Sequence, residues 1–194
     1  IYLDSPMALD ALKIYRNALA DEAADISREF WGRAGVLDLP ALEEVVDTQG
    51  SKRVSRRNGS AVIIAGAGMA SGGRVVHHLK SFLPDPRNSV ALVGYQAEGT
   101  RGRQLLEGAS TVKIHGQYVR VRAEVCDLNG FSVHADSDEL IEWLRTSSRE
   151  PSGVFVTHGE PTAALALRRR IESDLDWTGV TPQLFERLSL AAPS

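Results

Sequence analysis

Hydrophobic positions fall in short blocks whose spacing changes several times along the chain. An apolar run at residues 1–3 predicts a strand, broken by the turn residues Asp4, Ser5 and Pro6. Met7, Ala11, Leu12, Tyr15, Ala18, Leu19, Ile26 and Phe30 then recur at three-to-four spacing, which predicts one helix reaching Phe30, with Ser5 as its N-cap and Pro6 in its first turn. From residue 32 to 60 the pattern dissolves into polar and glycine-containing sequence. A short helix is expected over residues 40–47, and Lys52, Arg53, Arg56 and Arg57 form a basic cluster within what reads as a surface excursion.

Order returns at residues 61–65, a continuous β-prone run that suits a strand buried on both faces. It leads into a glycine loop at residues 66–73 and a helix through Leu79 or Phe82, ended by Pro84 and Pro86. Residues 89–93 repeat the unit with a second buried strand, a loop at residues 94–103 and a short helix ending near Gly108. Strand and helix alternating in this way predict a parallel α/β sheet, in which functional groups collect in the loops after the strands' carboxyl ends.

The period then changes to two. Val112, Ile114, Tyr118, Val119, Val121, Ala123 and Val125 alternate with polar residues around Gly116-Gln117, which predicts a hairpin with one solvated face. After Asn129 and Gly130 comes a loop at residues 131–136. Asp136 and Glu139 form a capping box for a helix at residues 137–144. Residues 154–157 read as the last buried strand, followed by a helix at residues 162–171 and a terminal strand near residues 183–185.

Composition narrows the classes. With 43% hydrophobic and 24% charged residues the 194-residue chain has ordinary globular usage, and its net charge of −3 supplies no global basic field, so any nucleic-acid contact must come from local patches. The single cysteine, Cys126, excludes an internal disulfide and a multi-cysteine zinc site, which makes a reducing, cytoplasmic setting the expectation. No apolar run approaches the roughly 20 residues of a membrane helix, and no membrane partner is expected. The chain opens without an initiator Met or a signal peptide and reads as cut.

Two glycine-loop chemistries fail on residue identity. For a Walker A loop, Gly68 to Gly73 has the spacing, but Arg74 and Val75 stand where Lys and Ser or Thr are required. A dinucleotide fingerprint lacks its downstream acid. A purely structural turn remains open for this loop. Asp4, His134 and His158 each stand where a strand end meets a loop, which marks them as candidates for chemistry, although three residues do not make a complete zinc site. His77 and His78 point roughly 100° apart on a helix and cannot chelate one ion together. His115 reads as a surface residue, Cys126 as an inert thiol and Arg168-Arg169-Arg170 as a solvated helix face.

Five segments, Leu3-Asp-Ser-Pro-Met-Ala8, Gly68-Met-Ala-Ser-Gly-Gly-Arg74, Gly94-Tyr-Gln-Ala-Glu-Gly-Thr-Arg-Gly-Arg103, Phe131-Ser-Val-His-Ala-Asp136 and Val156-Thr-His-Gly-Glu-Pro161, together resemble the β-CASP branch of the metallo-β-lactamase nucleases. They occur in that family's order, from residue 1 to about 171, and are most similar to the bacterial RNA-processing relatives of the cleavage and polyadenylation endonuclease. The resemblance implies an α/β fold in which a parallel-sheet β-CASP cassette with flanking helices, residues 1–129, is followed by residues 130–194. The latter would be the C-terminal strand-helix return segment of a metallo-β-lactamase αββα fold.

The same resemblance implies a ribonuclease using two zinc ions to hydrolyse RNA phosphodiester bonds. Asp4 would match the family's motif A acid, a catalytic residue that orients the motif B general acid His134 and favours its charged form, and His158 would match the motif C zinc ligand; a histidine at motif C resembles the RNA-directed members. Ser132, Ser71, Arg74, Gln96 and Arg101 would cradle the RNA backbone. The family's His-x-His-x-Asp-His segment does not occur in the 194 residues. The expectation is therefore a C-terminal portion whose partners are RNA and a metallo-β-lactamase domain outside it, with room for a homodimer, and which is inactive alone. A non-catalytic RNA-binding or scaffold subunit of the same family is the alternative.

Overall fold

The computed structural model describes residues 1–21, 27–30, 34–131 and 134–188. It divides into two units, Ile1–Phe131 and Ser132–Ser194. The fold is mixed α/β.

In the first unit, β1 (Tyr2–Asp4) is the middle strand of a parallel sheet, between β2 (Glu43–Glu44) and β3 (Ile63–Ala65). Tyr2 is in register with both Glu43 and Ile63, and Asp4 with Ala65. This central position buries all three residues of β1, including the carboxylate of Asp4. At the sheet edge, β3 leaves Val62 and Ile64 exposed, so the strand expected to be buried on both faces is covered only in part.

Helix α1 (Pro6–Ala20) starts as its sequence dictates: the Ser5 hydroxyl accepts from the Ala8 amide at 3.4 Å, and Pro6 occupies the first turn. It ends at Ala20 with Asp21 at its C-cap, well short of Phe30. Ile26 lies outside the described residues, and Arg28–Phe30 forms a single 3-10 turn, too short to carry the stripe onward. No helix forms over residues 40–47. The residues of β2 instead pair with β1, and the Asp47 carboxylate accepts from the Gly50 amide at 2.6 Å, starting α2 (Thr48–Val54) just after the span expected to be helical.

The main apolar core gathers α3 (Gly73–Phe82), β4 (Ser89–Val93) and α4 (Arg101–Leu106) with β5 (Thr111–Ile114) and β6 (Gln117–Arg120). Leu79, Leu83, Leu92, Leu105, Val112 and Ile114 are all buried in it. The β5–β6 hairpin turns one residue earlier than expected, at His115 and Gly116, whose φ angles of 46° and 78° are both positive as a type I′ turn requires. The period-two pattern does not continue as one antiparallel ribbon. The amides of Arg122 and Ala123 both donate to the Leu83 carbonyl, at 2.8 and 3.0 Å, and turn the chain so that β7 (Glu124–Leu128) pairs parallel with β4.

In the second unit, α5 (Ser137–Arg145) carries the expected capping box: the Asp136 carboxylate accepts from the Glu139 amide, and Glu139 accepts from the Asp136 amide, both at 2.9 Å. Strand β8 (Val154–Phe155) pairs parallel with β9 (Gly179–Val180) across α6 (Pro161–Leu175). The expected strand at residues 183–185 is absent. Gln183 and Glu186 close a turn on each other there, at 2.7 and 3.0 Å, and the pairing with β8 is already taken by β9. Among the described residues no helix is long and apolar enough to cross a membrane.

Candidate functional site

The carboxyl end of β1 holds the densest polar cluster of the first unit. Asp4 has no exposed surface, and its two oxygens are separately engaged: Arg74 Nη1 donates to Oδ1 at 2.7 Å and His78 Nε2 donates to Oδ2 at 2.6 Å. His78, itself buried, places Nδ1 2.9 Å from the Ser55 hydroxyl, so both ring nitrogens are partnered. Arg74 also donates to the carbonyls of Val45, at 2.7 Å, and Val46, at 3.1 Å. The cluster ties α3 to the end of β1 and to the segment between β2 and α2. Burial opposes the charge on Asp4, but hydrogen bonds from Ser51, His78 and Arg74 outweigh it, and the carboxyl titrates below its usual range.

His78 was legible only as one of an adjacent pair. The helix turns it inward, where it meets Asp4, and its neighbour His77 outward to solvent. The pair share no ligand position.

A second set of contacts joins the two glycine loops. Gln96, almost completely buried, donates from Nε2 to the carbonyls of Gly68 at 3.0 Å and Gly94 at 3.1 Å. The Gly102 amide donates to the Met69 carbonyl at 3.0 Å. Arg101 donates to the carbonyl of Ala70 and, through Nε and Nη2, to that of Lys113 at 3.0 and 2.8 Å. Close approach at this seam requires a glycine. A Cβ added at Gly102 would lie 1.7 Å from Gln96 Oε1 and 3.2 Å from the Met69 carbonyl oxygen. Gly102→Ala is expected to destabilise the unit by about 1–3 kcal/mol as overpacking. Urea unfolding should show this, and the Gln96→Ala/Gly102→Ala double variant should fall short of the sum of the two single changes.

Of the residues expected to cradle RNA, Arg74, Gln96 and Arg101 thus direct donors into the protein itself. Ser71 is exposed, with its hydroxyl on the Met69 carbonyl at 3.2 Å. Ser132 lies outside the described residues.

In the second unit His134 and His158 are both exposed, His134 ahead of the α5 cap and His158 between β8 and α6. His158 holds a left-handed backbone, φ 64°, a conformation that His adopts more readily than most residues. Among the described residues no three His, Cys, Asp or Glu side chains converge as a metal would need. Zinc therefore does not fit the described residues of this chain by themselves.

Residues 1–105 match the Beta-Casp domain family, and residues 118–182 match the Zn-dependent metallo-hydrolase RNA specificity domain. Over 167 residues the chain is 41% identical to a ribonuclease of Thermus thermophilus, which covers 86% of this chain and 38% of that protein. Over 138 residues it is 37% identical to the transcription termination factor FttA of Pyrococcus abyssi, covering 69% of this chain and 21% of that protein. The chain thus spans well under half the length of these relatives.

Proposed function

The chain belongs to the Beta-Casp family, and from that premise we propose that it is part of a zinc-dependent ribonuclease that hydrolyses RNA phosphodiester bonds. One observation carries this reading: His134 and His158, both exposed and both on loops leading into helices, lie inside the segment matched by the Zn-dependent RNA specificity domain. The relative named a ribonuclease supports it.

In this reading water attacks phosphorus and gives up a proton to solvent as the bond from phosphorus to the 3′ oxygen breaks, and the departing 3′ oxygen takes a proton from His134 as general acid. His158 would contribute one imidazole ligand to zinc. The remaining ligands, for two ions, would come from a metallo-β-lactamase domain outside these 194 residues, whose fold residues 130–194 would complete. Ser71 and Ser132 each contribute a hydroxyl to contacts with the RNA backbone. The seam residues Gln96 and Arg101 act by fixing the two glycine loops, and Arg74 by holding Asp4 and the segment after β2. Asp4 anchors the strand end, its oxygens being held by His78 and Arg74. The protein works in the cytoplasm, where its one cysteine stays reduced.

The test is zinc content and RNA cleavage in the whole polypeptide that carries these residues. The wild type should bind zinc stoichiometrically and cleave RNA, with activity lost to a chelator and restored by zinc. His158→Ala should lower zinc affinity by at least about tenfold, in the range found for damaged metal shells. A wild type that holds no zinc and cuts no RNA would favour the scaffold reading.

A further inference from the structure

We propose that the groove between α2 and α3 binds the phosphodiester backbone of a single RNA strand, through Lys52, Arg56 and Lys80. The inference rests on RNA being the substrate and adds Lys52, Arg56 and Lys80, which none of the five resemblance segments contains, to a groove that Ser71, Arg74 and Arg101 of those segments also line.

The groove is a cavity of about 570 Å³, open along one side of α3. Gly73, His77, Lys80 and Ser81 line it from α3 at the three-to-four spacing that puts them on one helix face. Lys52, Ser55 and Arg56 face them from α2 and the turn that follows it, and Arg101 and His115 close the far side. Among the described residues no carboxylate lines this cavity, although the chain as a whole carries a net charge of −3. The neighbouring cavity, which shares α2, is mixed: Glu43, Glu44 and Asp47 stand there with Arg53 and Arg57. Helix α2 therefore sorts its bases, sending Arg53 toward acids and Lys52 toward a wall of cations.

Arg16, Arg87 and Arg170 are matched to acids, the first to Asp38 and Glu44, the second to Asp85 and the third to Asp138 and Asp174. Among the described residues Lys52, Arg56 and Lys80 meet no carboxylate within ion-pair distance, and all three are exposed. Like charges gathered without counter-charge repel, and an anion from outside relieves that repulsion.

Shape and composition select a strand rather than a small anion. Ten residues of α3 extend about 15 Å, whereas stacked nucleotides advance about 3.4 Å each, so several phosphates fit along the cationic wall. No Phe, Tyr or Trp lines the groove to stack bases. Contact falls on the backbone and is independent of sequence. The imidazoles of His77 and His115, with ring centroids 4.6 Å apart, form one wall of the groove and join α3 to the hairpin turn.

The experiment is fluorescence anisotropy on the full 194-residue chain with a labelled oligouridylate of roughly 12 nucleotides. Lys52→Gln/Lys80→Gln is compared with Lys13→Gln/Arg120→Gln, a pair of exposed cations that do not line the groove, after thermal melts show that both variants fold. The groove pair is expected to weaken binding at least about tenfold at low salt and to reduce the log–log salt slope by about 1.4, roughly 0.7 for each lost contact. The control pair should keep wild-type affinity. Equal losses in the two pairs, no loss in the groove pair, or no RNA binding by the wild type would overturn the proposal. So would full displacement of the RNA by inorganic phosphate at matched ionic strength, which would mark a small-anion site. Cleavage in the whole polypeptide is read separately. Cleavage with unchanged affinity in the groove pair overturns the groove alone, while absence of cleavage overturns the nuclease reading and leaves the binding comparison to decide the groove.

Discussion

Replacing Asp4 with alanine is expected to destabilise the Ile1–Phe131 unit by about 3–5 kcal/mol, the range seen when one member of a buried, hydrogen-bonded charge pair is removed. The carboxylate has no exposed surface and receives Arg74 on one oxygen and His78 on the other. Without it the Arg74 guanidinium keeps only the carbonyls of Val45 and Val46, and the buried His78 Nε2 keeps nothing. Asp4→Asn should recover part of the loss, because an amide fills the same space and its oxygen still accepts one bond, but the charge facing Arg74 is gone. Urea unfolding followed by the near-ultraviolet signal of Tyr2 and its neighbours measures both. A loss below about 1 kcal/mol for the alanine variant, the size of an ordinary neutral hydrogen bond, would remove the cluster from the list of main fold determinants.

The same group sets an acid limb. Its carboxyl is held below the usual carboxylate range in the folded chain, so the unfolded chain binds its proton first as pH falls. The stability it contributes is complete above the unfolded value near 3.9 and disappears as pH drops through the lower folded value. Asp4→Asn should therefore flatten the acid end of the stability profile and leave its slope near neutrality unchanged.

His134→Ala is expected to slow RNA cleavage by the whole polypeptide about 10²- to 10⁴-fold, the usual contribution of a positioned general acid, while zinc content stays at the wild-type level. The argument is the leaving group's need: an alkoxide departing from phosphorus is a poor leaving group until it is protonated. One readout separates this from a structural defect. An RNA with sulfur at the bridging 3′ position, whose thiolate leaves without help, should be cut by the variant at close to the wild-type rate. A variant that stays equally slow on the sulfur substrate would remove His134 from the proton transfer.

Local signals in the sequence survived folding where their partners lie within a few residues. The Ser5 cap, the Pro6 start and the Asp136–Glu139 box all formed as their spacing dictates, because each is a contact within one helical turn. The alternation of strands and helices correctly indicated mixed α/β structure. Errors clustered where a distant strand decided the outcome. Glu43 and Glu44 have no strand propensity of their own and became β2 because β1 offered an edge to pair with. Residues 124–128 read as a continuation of a hairpin and became the parallel partner of β4 once the Leu83 carbonyl had turned the chain.

The candidate chemistry divides the same way. Asp4, His134 and His158 could be singled out from sequence because each follows a strand, and the family could be recognised because five short segments keep their order. The groove could not be read so. Lys52 and Arg56 looked like part of one basic cluster with Arg53 and Arg57, and only the rotation of α2 sends Lys52 toward Lys80 while Arg53 turns toward the acids. By itself the sequence determined which turns, caps and reactive side chains the protein has, since those depend on neighbours a few bonds apart. The tertiary structure alone decided which charges meet: His78 with Asp4, Arg74 with two carbonyls, and Lys52, among the described residues, with no acid in ion-pair distance. Such pairings are chosen by through-space distance, and residues separated by about seventy positions in the chain acquire one only when the sheet and its helices have closed.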